Sequence, residues 1–285
     1  RLAEKHESPK IIMLTSMWPG QTHHMIFSGY HQLIRYITLP KIVIYPWRGR
    51  ISAFPTLIIN KLLHKPLRNF ISEFYSLDYT SLELKLFFSD ASVIHHLYGE
   101  DTWCLSAYMK PRDKRVIVTF HQPPLYFVRF IPSYLLKKLN KVDHIIVLST
   151  SQYHFFSRLV KDVPISFIPH GVDVKKFTPS SQIRRNCLIV GHWLRDFSTI
   201  IRVIKALRDR KDITFDVVLP RATPAIVRRA FHTLRSRIKN LNVYYNIDDL
   251  SLKRLYSTSS IFLLSTKDFT ASNALLEAMA SALSI

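Results

Sequence analysis

The apolar residues of the chain occur in short runs that are separated by polar stretches. Near-continuous apolar runs indicate strands that are covered on both faces, while intervening stretches such as GYHQLIRYI and PSYLLKKLN have helical spacing. This alternation predicts an α/β fold with doubly wound parallel sheets. In the first part of the chain, strands are predicted at residues 11–14, 41–45, 92–98, 115–120, 144–148 and 165–169.

The pattern begins again after a stretch, 175–182, whose Pro, Ser and Lys content is typical of a linker. We therefore predict two domains, 1–180 and 181–285, which face a cleft that is the default ligand site. The chain begins with Arg and ends directly after a helical pattern, so we expect residues to be missing at both ends and the second domain to be incomplete. Its predicted strands are 187–191, 214–219, 242–246 and 261–265, and its predicted helices lie near 198–209, 223–237, 250–257 and from about 272.

The chain is strongly basic, with 40 Lys and Arg against 20 Asp and Glu and a formal charge of +20. Such a charge attracts nucleic acid, phospholipid headgroups or phosphorylated substrates. Neither zinc-finger spacing nor an aromatic RNA-binding motif occurs, so we do not expect nucleic acid as a partner. Residues 55–90 mix basic and apolar positions, which fits either a helix packed on the sheet or a surface that touches anionic membrane.

The expected location is the cytoplasm, with a peripheral position at the inner face of the cell membrane as the alternative. No apolar run approaches the roughly 20 residues of a membrane-spanning helix. The first residues are charged and lack the apolar stretch of a secretory signal, and the two cysteines, Cys104 and Cys187, lie far apart in the sequence.

Four segments carry recognisable motifs: VTFHQPP (118–124), FIPHGVDVKKFTP (167–179), IVGHWLRDFSTIIRVIKAL (189–207) and SNALLEAMASAL (272–283). Together they resemble the retaining glycosyltransferase family 4, also called the group 1 glycosyltransferases, which have the GT-B fold of two Rossmann-like domains. The resemblance implies transfer of a sugar from a nucleoside diphosphate-sugar to a hydroxyl of a glycan or lipid-linked acceptor. It also implies that no metal or other cofactor is needed.

The last segment is similar to the second half of the family's donor-binding motif. Glu277 matches the second glutamate of that motif, which implies that it holds the ribose hydroxyls; the alternative is a surface glutamate on an exposed helix. The position of the first glutamate falls on Phe269, and the nearest carboxylate is Asp268, so the contact with the transferred sugar departs from the family pattern. Ser272 is a candidate N-cap that would direct the amides of Asn273 and Ala274 toward a diphosphate.

The segment GHWLRDF is similar to the family's turn that clamps the donor diphosphate with two basic side chains. Gly191 is kept, His192 stands at the position of the first cation, and Arg195 is the candidate for the second. An arginine can neutralise phosphate charge bidentately, whereas His192 contributes only if it is protonated or hydrogen-bonded. The alternative is that both are solvated loop residues.

A third group of candidates lies on the first-domain side and at the crossing between domains. His121, in the family's H-x-P turn, is expected beside the reacting sugar, with a structural histidine as the alternative. His170 and Gly171 match the crossing, where Gly171 would permit a tight turn, and Gly20 is a weaker match to a loop near the donor. The pairs His23–His24 and His95–His96 lack any metal-binding pattern, and we expect no metal.

Two other kinds of protein can have this fold. A nucleotide-sugar epimerase would form product without any acceptor, and a non-catalytic module would bind nucleotide or glycan without turnover. Phe269 at the position of the first glutamate and the expected loss of a C-terminal segment keep the second alternative open.

Overall fold

The computed structural model describes residues 10–14, 29–44, 89–100, 102–103, 106–107, 112–181 and 185–285. These residues belong to two compact units. The first contains the described residues up to Pro169 apart from Gly29 and Tyr30, and the second contains Gly29, Tyr30 and the residues from His170 onward. Gly20, the pair His23–His24 and most of the basic stretch 55–90 lie outside the described residues.

The first unit is built on a sheet of six parallel strands in the order β2-β1-β3-β4-β5-β6. The strands are β1 (Ile11–Leu14), β2 (Lys41–Ile44), β3 (Val93–His96), β4 (Arg115–Phe120), β5 (His144–Val147) and β6 (Ile165–Phe167). The helices of the described residues are α1 (Pro124–Phe130), α2 (Ser133–Leu136) and α3 (Thr150–Leu159), with 3-10 segments at Tyr30–Arg35 and Lys137–Lys141.

An aromatic cluster fixes α1 and α3 against β4. Phe120, the last residue of β4, stacks on Phe156 of α3 at 4.6 Å and meets Phe127 of α1 edge-on at 5.1 Å. All three are fully buried, and full burial of each stabilises the fold by about 1.5–3 kcal/mol. Because the cluster sits at the carboxyl end of β4, it also fixes the start of the loop that carries His121.

The second unit has a sheet of four parallel strands in the order β10-β7-β8-β9. Its strands are β7 (Asn186–Val190), β8 (Thr214–Leu219), β9 (Leu241–Tyr245) and β10 (Ile261–Phe262). Its helices are α4 (Phe197–Ala206), α5 (Ala225–Arg235), α6 (Asp249–Thr258) and α7 (Asn273–Ala280).

Helices cover the second sheet on both faces, which makes it doubly wound. Ile200 of α4 and Phe231 of α5 belong to one apolar cluster, and Tyr256 of α6 and Ala278 of α7 belong to another. Three of these helices begin at side-chain caps: Asp196, Asp248 and Ser272 accept backbone N–H groups of Thr199, Ser251 and Leu275.

The fold class predicted from the apolar pattern is confirmed, and the differences have local causes. The predicted strand 261–265 ends at Phe262, because the chain then turns so that Thr266 forms an antiparallel bridge with Arg195. The stretch PSYLLKKLN divides into α2 and a 3-10 segment instead of one helix. The described part of the predicted linker, 175–181, lies within the second unit, which includes the chain from His170 onward. Phe177 packs edge-on against Tyr256, and Ser180 N–H donates to Ser257 O.

Candidate functional site

Arg195 is held at the carboxyl edge of the second sheet, in the loop between β7 and α4. Its Nε donates to Val190 O at 3.2 Å, and its Nη2 donates to Ser272 Oγ at 3.4 Å. Gly191 begins this loop with a φ of +93°, a conformation that favours glycine. The loop therefore places a guanidinium beside Ser272, the N-cap residue of α7.

The Arg195 loop is tied to the segment that follows β10. Arg195 bridges to Thr266, Lys267 N–H donates to Leu194 O at 2.8 Å, and Asp196 N–H donates to Ser265 O at 2.9 Å. Leu194 has a φ of +54°, which costs a non-glycine residue about 1–2 kcal/mol. The surrounding hydrogen bonds hold this strained turn in a single arrangement.

The two basic residues predicted for a diphosphate differ in charge. Burial lowers the pKa of Arg195 from its ordinary value, but a guanidinium remains protonated throughout the physiological range. Burial, and then the neighbouring Arg195 charge, lowers the pKa of His192, so this imidazole is neutral near pH 7. Arg195 supplies the positive charge here, and His192 can offer a hydrogen bond.

The start of α7 is a capped helix end. Ser272 Oγ accepts the N–H of Leu275 at 3.3 Å, and Ser272 O accepts the N–H groups of Leu275 and Leu276. The amides of Asn273 and Ala274 precede these bonds, at the positive end of the helix. With Arg195 beside Ser272, the arrangement has the elements of an anion-binding site.

Glu277 is buried, with 4% of its surface exposed, and it lies beside the fully buried Tyr256. Burial, and then the Glu277 charge, raises the pKa of Tyr256 well above its ordinary value, while Arg195 acts in the opposite direction. These effects require Glu277, Tyr256 and Arg195 to be close in space. The alternative of a surface glutamate on an exposed helix is therefore excluded.

Asp268 and Phe269 lie in the segment between β10 and α7. Phe269 is exposed, and its N–H donates to Oδ1 of Asp268 at 2.8 Å. Asp268 follows Lys267, the residue bonded to Leu194, so the same loop pairing holds it near the Arg195 loop.

In the first unit, His121 is fixed by a buried carboxylate. Glu100 Oε1 accepts the N–H groups of His121 and Gln122, the second at 2.5 Å. Its Oε2 lies 3.5 Å from Nδ1 of His121, and Tyr98 stacks on the imidazole with ring centroids 4.6 Å apart. Glu100 thus fixes the position of the His121 backbone and the orientation of its ring.

Gln152, at the start of α3, is fully buried and closes the same loop from its other side. Its Nε2 donates to Phe120 O at 3.0 Å and Gln122 O at 2.8 Å, while its Oε1 accepts the Leu148 N–H at 2.8 Å. Sequence reasoning did not identify Glu100 or Gln152. Their positions in the sequence could have indicated them, because they follow β3 and β5, the two neighbours of β4. The carboxyl ends of adjacent parallel strands meet at one edge of a sheet.

His170 and Gly171 lie where the chain passes from the first unit into the second. The Nδ1–H of His170 donates to Gly171 O at 2.8 Å. Gly171 has no left-handed φ, and an added Cβ would meet no atom of the described residues within 4 Å. Neither the backbone conformation nor the space around this position therefore requires glycine.

His95 and His96 are buried structural residues. His95 Nε2 pairs with Thr119 Oγ1 at 2.8 Å, and His96 pairs with Thr102 Oγ1 at 3.1 Å and Ser106 Oγ at 3.0 Å. Burial lowers the pKa of His95 to about 4 and that of His96 to about 3. Within the described ranges, no group of three or more His, Cys, Asp or Glu side chains is arranged to hold a metal ion.

The sequence profile described as Glycosyltransferase Family 4 matches residues 29–176. No curated protein matches the chain. None of the helices in the described part of the chain is long and apolar enough to cross a membrane.

Three solved structures show the same GT-B fold at low sequence identity. Sucrose-phosphate synthase from Thermosynechococcus elongatus is 15% identical with a TM-score of 0.64, over 96% of this chain and 80% of that one. Anabaena HepE in complex with UDP-glucose is 13% identical with a TM-score of 0.65, over 96% and 79%. The catalytic domain of starch synthase IV from Arabidopsis thaliana, bound to ADP and acarbose, is 10% identical with a TM-score of 0.61, over 97% and 82%.

Proposed function

Because the chain belongs to glycosyltransferase family 4, we propose that this glycosyltransferase moves a sugar from a nucleoside diphosphate-sugar to an acceptor hydroxyl with retention of anomeric configuration. The acceptor in this proposal is a glycan or a lipid-linked precursor of a cell-surface polysaccharide or glycolipid. The observation that carries the proposal is the Arg195 guanidinium beside the capped start of α7, with Glu277 buried on the same helix.

Each group of the donor has a proposed partner in the second unit. The diphosphate meets Arg195 and the amides of Asn273 and Ala274, where bidentate charge-assisted hydrogen bonds stabilise the charge that develops on the leaving group. Glu277 accepts the ribose hydroxyls. This arrangement supplies positive charge without a divalent ion, so we propose that the reaction needs no metal or other cofactor.

The likeness to the solved structures supports the choice of ligands. Anabaena HepE binds UDP-glucose, and the starch synthase domain binds ADP together with acarbose. A nucleoside diphosphate-sugar donor and a carbohydrate acceptor are therefore the first ligands to test on this chain.

We assign His121 and Asp268 to the transferred sugar. The Glu100 carboxylate lies beside Nδ1 of His121, which orients the ring and makes Nε2 the atom proposed to meet a sugar hydroxyl. Gln152 and Glu100 act through His121 as positioning residues, since a rigid loop preserves the geometry that the reaction requires. Asp268 takes the place of the family's first glutamate.

The proposal includes peripheral contact with an anionic membrane from the cytoplasmic side. Leu125 and Val128, 63% and 65% exposed, lie one turn apart on α1, and Phe130 is also exposed. Arg129 and Lys137 lie in the same stretch, and no carboxylate occurs from residue 114 to 142. Apolar and basic side chains together suit an anionic bilayer surface. Since α1 begins three residues after His121, such docking would bring a lipid-linked acceptor near this histidine.

Product analysis tests the proposed reaction. The protein is incubated with UDP- and GDP-sugars, with and without glycan acceptors, and products are assigned by NMR. The expected product is a glycoside with the anomeric configuration of the donor. An inverted glycoside, a converted donor sugar in the absence of acceptor, or donor binding without any turnover would each contradict the proposal.

Vesicle co-sedimentation tests the membrane contact. Leu125→Asp/Val128→Asp should abolish binding to anionic vesicles, whereas Leu250→Asp, at a position 70% exposed in the second unit, should not. Binding that is absent on anionic lipid, or that does not weaken with added salt, would overturn it.

A further inference from the structure

A cavity of about 520 Å³, open to solvent, lies in the second unit beside α5, at the carboxyl ends of β8 and β9, and its basic lining residues are exposed. Its walls come from the loop after β8, one face of α5 and the end of β9. The side chains that give it polarity are Arg221, Arg228, Arg229, His232, Tyr245 and Asn246.

Helical spacing gathers the basic groups of α5 at this cavity. Residues three and four apart are neighbours on a helix surface, so His232 lies next to both Arg228 and Arg229. Tyr245 Oη donates to Arg228 O at 3.2 Å and ties the end of β9 to α5. Burial raises the pKa of Tyr245, while the charges of Arg228 and Arg235 lower it, in agreement with cations close to this phenol.

The cationic cluster lacks acidic neighbours along the chain. No Asp or Glu occurs from residue 217 to 247. Among the ion pairs of the described residues, none includes Arg221, Arg228 or Arg229. Like charges around one cavity repel each other, and an anion that enters it would remove this repulsion. Phosphate fits best, because its oxygens match the planar fork of a guanidinium.

The cavity is separate from the proposed donor site. Arg195 follows β7 and lies beside α7, whereas the cavity is at the ends of β8 and β9. None of the residues that line the cavity belongs to the Arg195 loop or to α7. Helix α5 also packs in a different apolar cluster of this sheet from α7.

We propose that this cavity is a second anion site, which binds the phosphate group of a ligand other than the nucleotide donor. Arg228 and Arg229 hold the phosphate oxygens, His232 contributes a hydrogen bond, and Tyr245 holds the end of β9 against α5. The ligand is either a soluble phosphorylated compound or a phospholipid headgroup, and both present the same chemistry to the cavity. The inference depends on the residues of α5 and does not require the donor assignment to be correct.

NMR of the protein with isotope-labelled histidine tests this site, with the His232 ring signal assigned through His232→Gln. Inorganic pyrophosphate is titrated first, followed by phosphatidylglycerol vesicles and neutral phosphatidylcholine vesicles. The His232 signal should move saturably with pyrophosphate if soluble phosphates bind, or change with anionic vesicles alone if the headgroup of a lipid is required. Loss of two charge-assisted contacts in Arg228→Ala/Arg229→Ala should weaken the response about tenfold or more.

Matched variants distinguish binding in this cavity from general electrostatic attraction and from binding at the donor site. Arg237→Ala/Lys239→Ala removes two exposed charges from the same basic stretch but no cavity-lining residue, and it should keep the response. Arg195→Ala should also keep it. An equal loss of the response in the Arg237→Ala/Lys239→Ala control would mean general electrostatic attraction. A loss of the response in Arg195→Ala would mean binding at the donor site. A His232 signal that changes with none of the probes would mean that the cavity binds no phosphate. Each of these three results overturns the proposal.

Discussion

The guanidinium Nη2 of Arg195 lies 3.4 Å from Oγ of Ser272, the residue that caps α7. This contact joins the loop after β7 to the start of α7, although the two residues are far apart in the sequence. A positively charged side chain and a positive helix end therefore act on the same volume, which is the basis of the proposed donor site.

Loss of the Arg195 guanidinium should impair transfer. Arg195→Ala is expected to lower kcat/KM by about 100-fold, the usual effect of removing one donor that stabilises transition-state charge. Arg195→Lys should recover only part of this loss, because an ammonium cannot bind phosphate bidentately. The control is Arg202→Ala on the exposed surface of α4, which should retain wild-type kinetics. Equal kinetics for Arg195→Ala and wild type would remove this arginine from the site.

The caps of α6 and α7 form a matched pair. Ser272→Ala and Asp248→Ala should each lower the free energy of unfolding by about 1 kcal/mol, because each removes one N-cap side chain. Only Ser272→Ala should also weaken nucleotide binding, since Ser272 contacts Arg195. Denaturant melts and calorimetric titrations measure the two effects. Equal nucleotide affinity in both variants would show that the cap has a structural role alone.

The buried carboxylate beside His121 offers a test of positioning. Glu100→Gln keeps an oxygen that can accept the N–H groups of His121 and Gln122, but it removes the negative charge 3.5 Å from Nδ1. We expect kcat to fall by about tenfold with KM little changed, within the usual range for proton-transfer and orienting groups. A wild-type kcat, or a change in KM alone, would contradict this role.

The environment of Glu100 also explains why the preceding residue is glycine. A Cβ on Gly99 would lie 2.4 Å from Cγ1 of Val118 and 2.8 Å from Phe120. Gly99→Ala should therefore destabilise the first unit by about 1–3 kcal/mol through overpacking, whereas Gly171→Ala, where a Cβ meets nothing within 4 Å, should not. Thermal melts of the two variants measure the difference, and equal melting temperatures would argue against this role of Gly99.

Stability should depend on pH through His95 and His96. Both are buried, and their pKa values are lowered from 6.5 to about 4 and about 3. Below pH 6.5 the unfolded chain binds protons that the folded chain does not. The free energy of unfolding therefore decreases as the pH is lowered. Each histidine contributes about 1.4 kcal/mol per pH unit, His95 down to about pH 4 and His96 down to about pH 3.

Chemical denaturation between pH 7 and pH 4.5 measures this slope. His95→Gln should reduce it, whereas His154→Gln, at an exposed position, should not. A slope that is unchanged in His95→Gln would contradict the assignment of the pH dependence to His95.

The strands could be predicted from the sequence because parallel strands covered on both faces consist almost entirely of apolar residues. In β4, three of the four fully buried positions are the apolar residues Val116, Val118 and Phe120. The short length of β10 could not be predicted, since it depends on the pairing of Thr266 with Arg195. The segment around Phe177 was predicted as a linker, because its packing on Tyr256 is visible only in three dimensions.

The residues of the candidate site also divide into those that could be predicted from the sequence and those that could not. Arg195, Ser272 and Glu277 lie in segments with recognisable local patterns, so sequence reasoning could propose them. Glu100 and Gln152 carry no local pattern: each reaches the His121 loop across a neighbouring strand, at separations of 21 and 30 residues. The cavity beside α5 could not be predicted from the sequence, because nothing distinguishes its arginines from the others in a chain with 40 Lys and Arg residues.

Calorimetric titration of the protein with UDP and GDP, beside Glu277→Gln, tests the central claim most directly. Glutamine matches glutamate in size, so the variant removes the charge of a buried side chain without leaving a cavity, and a thermal melt establishes that it folds. We expect one of the two nucleotides to bind the wild-type protein with one-to-one stoichiometry, and Glu277→Gln to bind it at least about tenfold more weakly. Failure of both nucleotides to bind, or equal binding by a folded Glu277→Gln, would contradict the donor site described above.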